Sequence, residues 1–171
     1  MSANLNLTVN ALLQRQVTLG DGTVVYNPQT IFTQELTDGT GSGEVEEGST
    51  VSASIVAAAP KEWDLFGSSA GDYNVAGIDT DAIVFTKIKS IVVVNLNTTA
   101  AEILILGGSA ANAWDAMFSS VAASKIQVPP GGVFVASHPA SGWTVDNTHK
   151  LLKIDAASGT IAFTMQITGL V

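Results

Sequence analysis

The chain has 171 residues, of which 46% are hydrophobic and 13% charged, about half the charged share of roughly 25% that is usual for globular domains. Seven basic residues against fifteen acidic ones leave a net charge of -8, which disfavours direct contact with nucleic acid and with anionic membrane surfaces, because both are gripped by Lys and Arg. The absence of cysteine removes disulfides, thiolate chemistry and Cys-ligated metals.

At the start, Leu5, Leu7 and Val9 alternate with Asn6, Thr8 and Asn10, the period of a half-buried strand. MSANLNLTVNALLQRQ lacks the basic start and apolar core of a secretory signal, so none is expected. Val17-Thr18-Leu19, the turn Gly20-Asp21-Gly22 and Thr23-Val24-Val25-Tyr26 spell a hairpin, and one more strand is expected between Pro28 and Glu35. Residues 38–49, DGTGSGEVEEGS, are rich in Gly, Ser and acids, which predicts a mobile linker. The chain is thus expected to divide into an extended N-terminal arm or hairpin with an acidic linker, residues 1–49, and a β-sandwich domain, residues 50–171.

In the second part, Val51, Ala53 and Ile55 mark one face of a strand over Thr50 to Val56. Further strands are expected from Lys61 to Phe66 and from Ala82 to Lys89, the latter alternating through Ile83, Phe85 and Ile88. Ser90 to Asn95 and Glu102 to Leu106 are short, continuous, β-branched runs, which predicts two strands buried on both faces or lying at a sandwich centre. The segment between them, NLNTTAA, suggests that they form a hairpin. Neither run approaches the ~20 residues of a membrane-spanning helix. Ala111, Trp114, Phe118 and Val121 keep a helical spacing over Ala110 to Ser124, but Gly107-Gly108 and Ser119-Ser120 argue for a short helix or an irregular loop. Lys125 to Val128, the turn Pro129-Pro130-Gly131-Gly132 and Val133 to Ser137 follow. Strands at Trp143 to Val145, Leu151 to Ile154 and Thr160 to Thr168 complete the chain, the last with Ile161, Phe163, Met165 and Ile167 on one face. Many short strands with regular turn signals predict an all-β, antiparallel β-sandwich, jelly-roll-like, carrying an extended N-terminal arm.

Candidates for chemistry are few. His138 and His149 sit beside turn residues, and no serine occupies a nucleophile elbow, so surface positions are expected rather than a Ser–His–Asp site. Asp79 and Asp81, with Asp72 near, have oxygen-ligand spacing for a hard cation, but no D-x-D-x-D-G loop surrounds them; a solvated loop is the simpler reading. Gly107-Gly108-Ser109-Ala110-Ala111-Asn112 lacks the Lys-Ser/Thr of a phosphate loop and reads as a strand exit with close backbone packing. Trp63, Trp114 and Trp143 stand among apolar positions, which favours core packing over a sugar platform. No catalytic, cofactor or metal residues are expected.

Several motifs recur in one order: Leu36-Thr37-Asp38-Gly39-Thr40-Gly41, Trp63-Asp64-Leu65-Phe66-Gly67-Ser68, Ile83 to Ile91, Leu106 to Trp114, Ile126 to Phe134, Gly142-Trp143-Thr144-Val145, Leu151-Leu152-Lys153-Ile154 and Ile167-Thr168-Gly169. From Leu36 to Gly169 the chain resembles a group of small structural proteins of tailed bacteriophages, encoded beside the major capsid protein. It departs from them in carrying Trp63 where smaller apolar residues are usual. The resemblance implies a virion component without catalytic residues: a capsid decoration (cement) protein, or a minor structural protein of head or tail. The expected partners are the major capsid protein or other virion proteins and further copies of the chain, for example in a trimer, with assembly in the host cytoplasm and no nucleic acid, membrane or cofactor involved. Contacts are expected at Asn4 to Val9, at Val24 to Phe32 and at the Pro129–Gly132 turn, the arm adding a strand to a neighbour's sheet edge. Two other readings are a receptor- or glycan-binding module of a tail or head fibre, which needs an exposed tryptophan cluster, and a hydrolase using His138.

Overall fold

The computed structural model describes residues 7–18, 24–76, 81–109, 111–118 and 124–171, with side chains from Leu36 onward. Strands β1 (Leu7–Thr18) and β2 (Val24–Asp38) form an antiparallel hairpin that joins, through a parallel pairing at Thr37 and Asp38, the short β3 (Glu44–Val45). The separate short strands expected in this region merge into two long ones. Pro28 lies inside β2 opposite Gln14; a two-stranded ribbon has free edges, where a missing N–H is tolerated. The expected turn at 19–23 and the contact residues Asn4 to Asn6 lie outside the described residues.

Ten further strands form two sheets: β4 (Glu47–Val56), β5 (Lys61–Asp64), β6 (Tyr73–Asn74), β7 (Lys87–Asn95), β8 (Leu104–Gly107), β9 (Lys125–Val128), β10 (Val133–Ser137), β11 (Trp143–Thr144), β12 (Leu151–Ala156) and β13 (Thr160–Leu170). One sheet runs β10-β7-β13-β4, with β11 also paired to β7, and the other runs β6-β5-β12-β8-β9. Apart from the β5–β6 contact, their pairings are antiparallel. Both sheets stay open at their edges, so the fold is an all-β sandwich and not a closed barrel.

Alternation explains the core. On β13, Ile161, Phe163, Met165 and Ile167 are all buried, and each such side chain contributes about 1.5–3 kcal/mol when removed from water. They face Trp63, Leu104, Leu106, Leu152 and Ile154 of the second sheet in one continuous cluster. Trp63 meets Phe163 edge-on across the layers at 5.6 Å between ring centres, a favoured aromatic geometry.

Of the strand expected from Ala82 to Lys89 only Lys87 to Lys89 is strand, at the start of β7; two further expected arrangements are replaced. The runs at 90–95 and 102–106 do not form a hairpin: β7 lies in the first sheet and β8 in the second, so residues 96–103 cross between layers. The buried Asn95 amide fixes that crossing by donating to the carbonyls of Glu102 (2.8 Å) and Val128 (3.1 Å). The helical spacing over 110–124 yields a single 3-10 turn at Ala116–Phe118, with residues 110 and 119–123 outside the described residues.

The acidic segment after β2 is not an open linker. Val45 is buried, Gly43 N–H donates to Pro139 O at 2.9 Å, and Glu46 N–H to Gly169 O at 2.9 Å. Leu36 is also buried, so the base of the hairpin is part of the packed body.

Candidate functional site: uncapped sheet edges and an uncharged face

The two outer faces of the sandwich differ in charge. On the second sheet, Glu62, Lys153 and Asp155 occupy the outward positions, with Lys153 3.9 Å from Asp155. On the first, strand register places Val133 and Val135 beside Val94 and Val92, then Thr164 and Gln166, then Ser52 and Thr50. No ionisable residue stands among these outward positions. Val133 is 57% and Val135 42% exposed, so half of this face is a bare valine patch and half a hydroxyl-rich one.

Along the β4 edge the sandwich gapes. An open groove of about 520 Å³ runs between Ser49–Ser54 on one side and Trp63, Tyr73, Asn74 and Ala76 on the other. Val51 and Ala53, although on the inner face of β4, are only half-buried there. Tyr73 lies half-exposed over Trp63, at 5.2 Å between ring centres.

The candidate chemical residues are engaged in building loops. His138 packs edge-on against Trp143, and its Nε2 lies 3.3 Å from Ser141 Oγ. No carboxylate is hydrogen-bonded to it among the described residues, so the structure brings no triad together. His149 pairs with Asp146 (Nδ1–Oδ1 3.1 Å) on an exposed turn. Hydrogen bonds from the Thr148 hydroxyl and N–H and from His149 hold the Asp146 carboxyl down at about 2. This is an Asx turn, with the acid consumed by its own loop.

The Asp72 carboxylate is shared between Lys61 Nζ (3.1 Å) and Glu62 N–H (2.9 Å). Asp81 is exposed, Asp79 lies outside the described residues, and no metal-holding group of acids or histidines occurs among the described residues. Gly107 and Gly108 both have positive φ, and a Cβ on Gly107 would meet Ser124 O at 2.6 Å, as a tightly packed strand exit requires. Trp63 and Trp114 are buried, with Trp114 Nε1 donating to Thr144 O at 3.0 Å; Trp143 is half-buried against Trp114.

Two charged residues that sequence reading passed over organise the surface. Asp64 is fully buried yet accepts from Phe66 N–H (2.8 Å), Ser68 N–H (3.1 Å) and Oγ (2.7 Å), and Ala70 N–H (2.9 Å). Burial alone would raise its carboxyl, but these hydrogen bonds and the nearby Lys150 together outweigh burial and hold it below the usual range. The Trp63–Ser68 motif is therefore a carboxylate-centred loop.

Lys89 is 1% exposed and donates to the carbonyls of Gly41 (3.2 Å), Pro139 (2.9 Å) and Ala140 (3.1 Å). Burial pushes its amine down, and the neighbouring Lys87 adds to this. It joins the base of the N-terminal hairpin to the corner between β10 and β11. No protein-family model matches the chain, and no curated protein matches it either.

Proposed function

We propose that the protein is a bacteriophage virion structural protein, a capsid decoration protein that stabilises the head by binding the major capsid protein. The observation that carries this reading is the uncharged stretch of valines and hydroxyls that crosses the first sheet's outer face from β10 to β4 in a chain of net charge -8. A partnerless acidic protein gains solubility from charge on every face; a face without charge is suited to being covered. The order of motifs from Leu36 to Gly169 supports the same reading, as do the titratable side chains committed to loop geometry. The mechanism is passive: surface is buried between preformed subunits and no bond is made or broken.

The alternative, a receptor- or glycan-binding module, loses the exposed tryptophan cluster it requires, because Trp63 and Trp114 are buried. Co-sedimentation tests the main reading. Purified protein mixed with phage heads that lack it should pellet with them to a fixed ratio to the major capsid protein. Protein that stays in the supernatant at every concentration contradicts the proposal.

A further inference from the structure

The first sheet ends in two strands that are paired on one side only among the described residues: β10 with β7, and β4 with β13. Hydrogen-bond parity shows which backbone groups those edges present. His138 N–H bonds Lys89 O and Asn95 N–H bonds Gly132 O, so the alternate residues Phe134 and Ala136 use their backbone groups on β7. Val133, Val135 and Ser137 point theirs at the open edge. Likewise Ala57 N–H bonds Gly159 O, so Val51, Ala53 and Ile55 bond β13, and Thr50, Ser52 and Ser54 face the groove.

We infer that these two edges pair with each other between copies: β10 of one chain lies in the groove beside β4 of the next, giving a head-to-tail assembly. Three observations favour a second copy as the occupant. First, chains of net charge -8 repel wherever their charges meet, and both β10 (VFVAS) and the groove-facing part of β4 (TVSAS) are free of charge. Second, natural edge strands are normally blunted by a charge or a proline, and neither β10 nor Thr50–Ser54 of β4 carries one; Glu47 stands at the far start of β4. Third, successive antiparallel pairings make β10 run opposite to β4, so a rotated copy continues the antiparallel order across the joint.

The asymmetry of the edges selects head-to-tail contact over a two-fold one. Two β4 edges would set one groove against another, whereas a strand fills a groove. A heterologous contact of this kind closes into a ring when the rotation permits. The inference concerns the fold's own edges and stands apart from where the protein works; its failure leaves the virion reading intact.

Proline tests it without breaking the sandwich, because the N–H groups of Ser52 and Val135 take no part in their own ladders and edge positions tolerate proline. Analytical ultracentrifugation of the unaltered chain should show oligomers, and S52P and V135P should each be monomeric. Mixing the two should restore one intact joint, giving a species of twice the 17.6 kDa chain mass. The amides of Ser54 and Val133 should be protected from hydrogen exchange in the assembled protein and not in either variant. If circular dichroism shows a proline variant unfolded, S52K and V135K are read in the same way.

An unaltered chain that is monomeric throughout, a single variant that still assembles, or a mixture that stays monomeric overturns the inference. Edge amides that become protected only on phage heads assign the edges to another protein and overturn it equally.

Discussion

Lys89 shows how much one side chain decides. The register between β7 and β13 steps from Thr168↔Ser90 to Gly169↔Ile88, leaving Lys89 as the extra residue of a β-bulge. Bulges re-aim side chains, and here the result is a buried ammonium on three carbonyls. Gly169 is needed at the same place, since a Cβ there would collide with the Lys87 carbonyl. Lys89→Met should destabilise the chain by roughly 3 kcal/mol, because three backbone carbonyls lose the one buried charged donor they share. The amides of Gly39 and Gly43 should then exchange faster, and unchanged stability in denaturant would contradict this role.

Asp64 makes a parallel case with a pH signature. Its folded carboxyl lies below the ordinary value, so near and below about 3.9 the unfolded chain binds more protons than the folded one. Its contribution is therefore complete above that value and is lost as pH falls through the lower folded one. Asp64→Asn should lower stability at pH 7 by about 2 kcal/mol and flatten the acid limb of the stability curve, which thermal melts from pH 7 to pH 3 would reveal. Neither residue was legible in the sequence: alternation gives faces, but a bulge shifts the phase by one residue, and a carboxylate cradled by its own loop looks like any other acid near glycine.

At the scale of elements, the strands whose apolar residues keep a clean period of two were readable. β13 and β4 fall where Ile161, Phe163, Met165 and Ile167, and Val51, Ala53 and Ile55, place them. Connections were less readable, because strand pairing is set by partners far along the chain. β7 and β8 looked like a hairpin from the polar segment between them, yet Asn95 steers the chain into the other layer. The acidic segment looked like a linker because its anchors, Pro139 and Gly169, are distant in sequence.

This has a consequence for truncation. Deletion through Ser49 removes Leu36 and Val45 from the buried core and the start of β4, so it should destabilise the sandwich as well as remove the arm. Deletion through Gln34 should leave the melting transition within a few degrees of the full chain while weakening attachment to phage heads. A shortened protein that binds heads as well as the full chain contradicts the role of the arm.

For the whole molecule, the low charge acquires a location. The second sheet and the loops carry most of the charged groups, while the valine and hydroxyl stretch of the first sheet's outer face, from β10 across to Thr50–Ser54 of β4, carries none; Lys87 and Glu47 stand only at the ends of β7 and β4. The sequence made a two-layer β fold legible, since no segment has the length or period of a long helix. It could not show that the uncharged residues converge on one face, because that depends on which strands become neighbours. The central claim is that the protein works by being fitted against others in a virus particle. Electron cryo-microscopy of the intact phage tests it most directly. The account predicts density for this sandwich on the shell, with the valine and hydroxyl face of the first sheet covered by neighbouring protein. A fully sharpened particle map with no such density, and no trace of the chain in the purified virion, would contradict it.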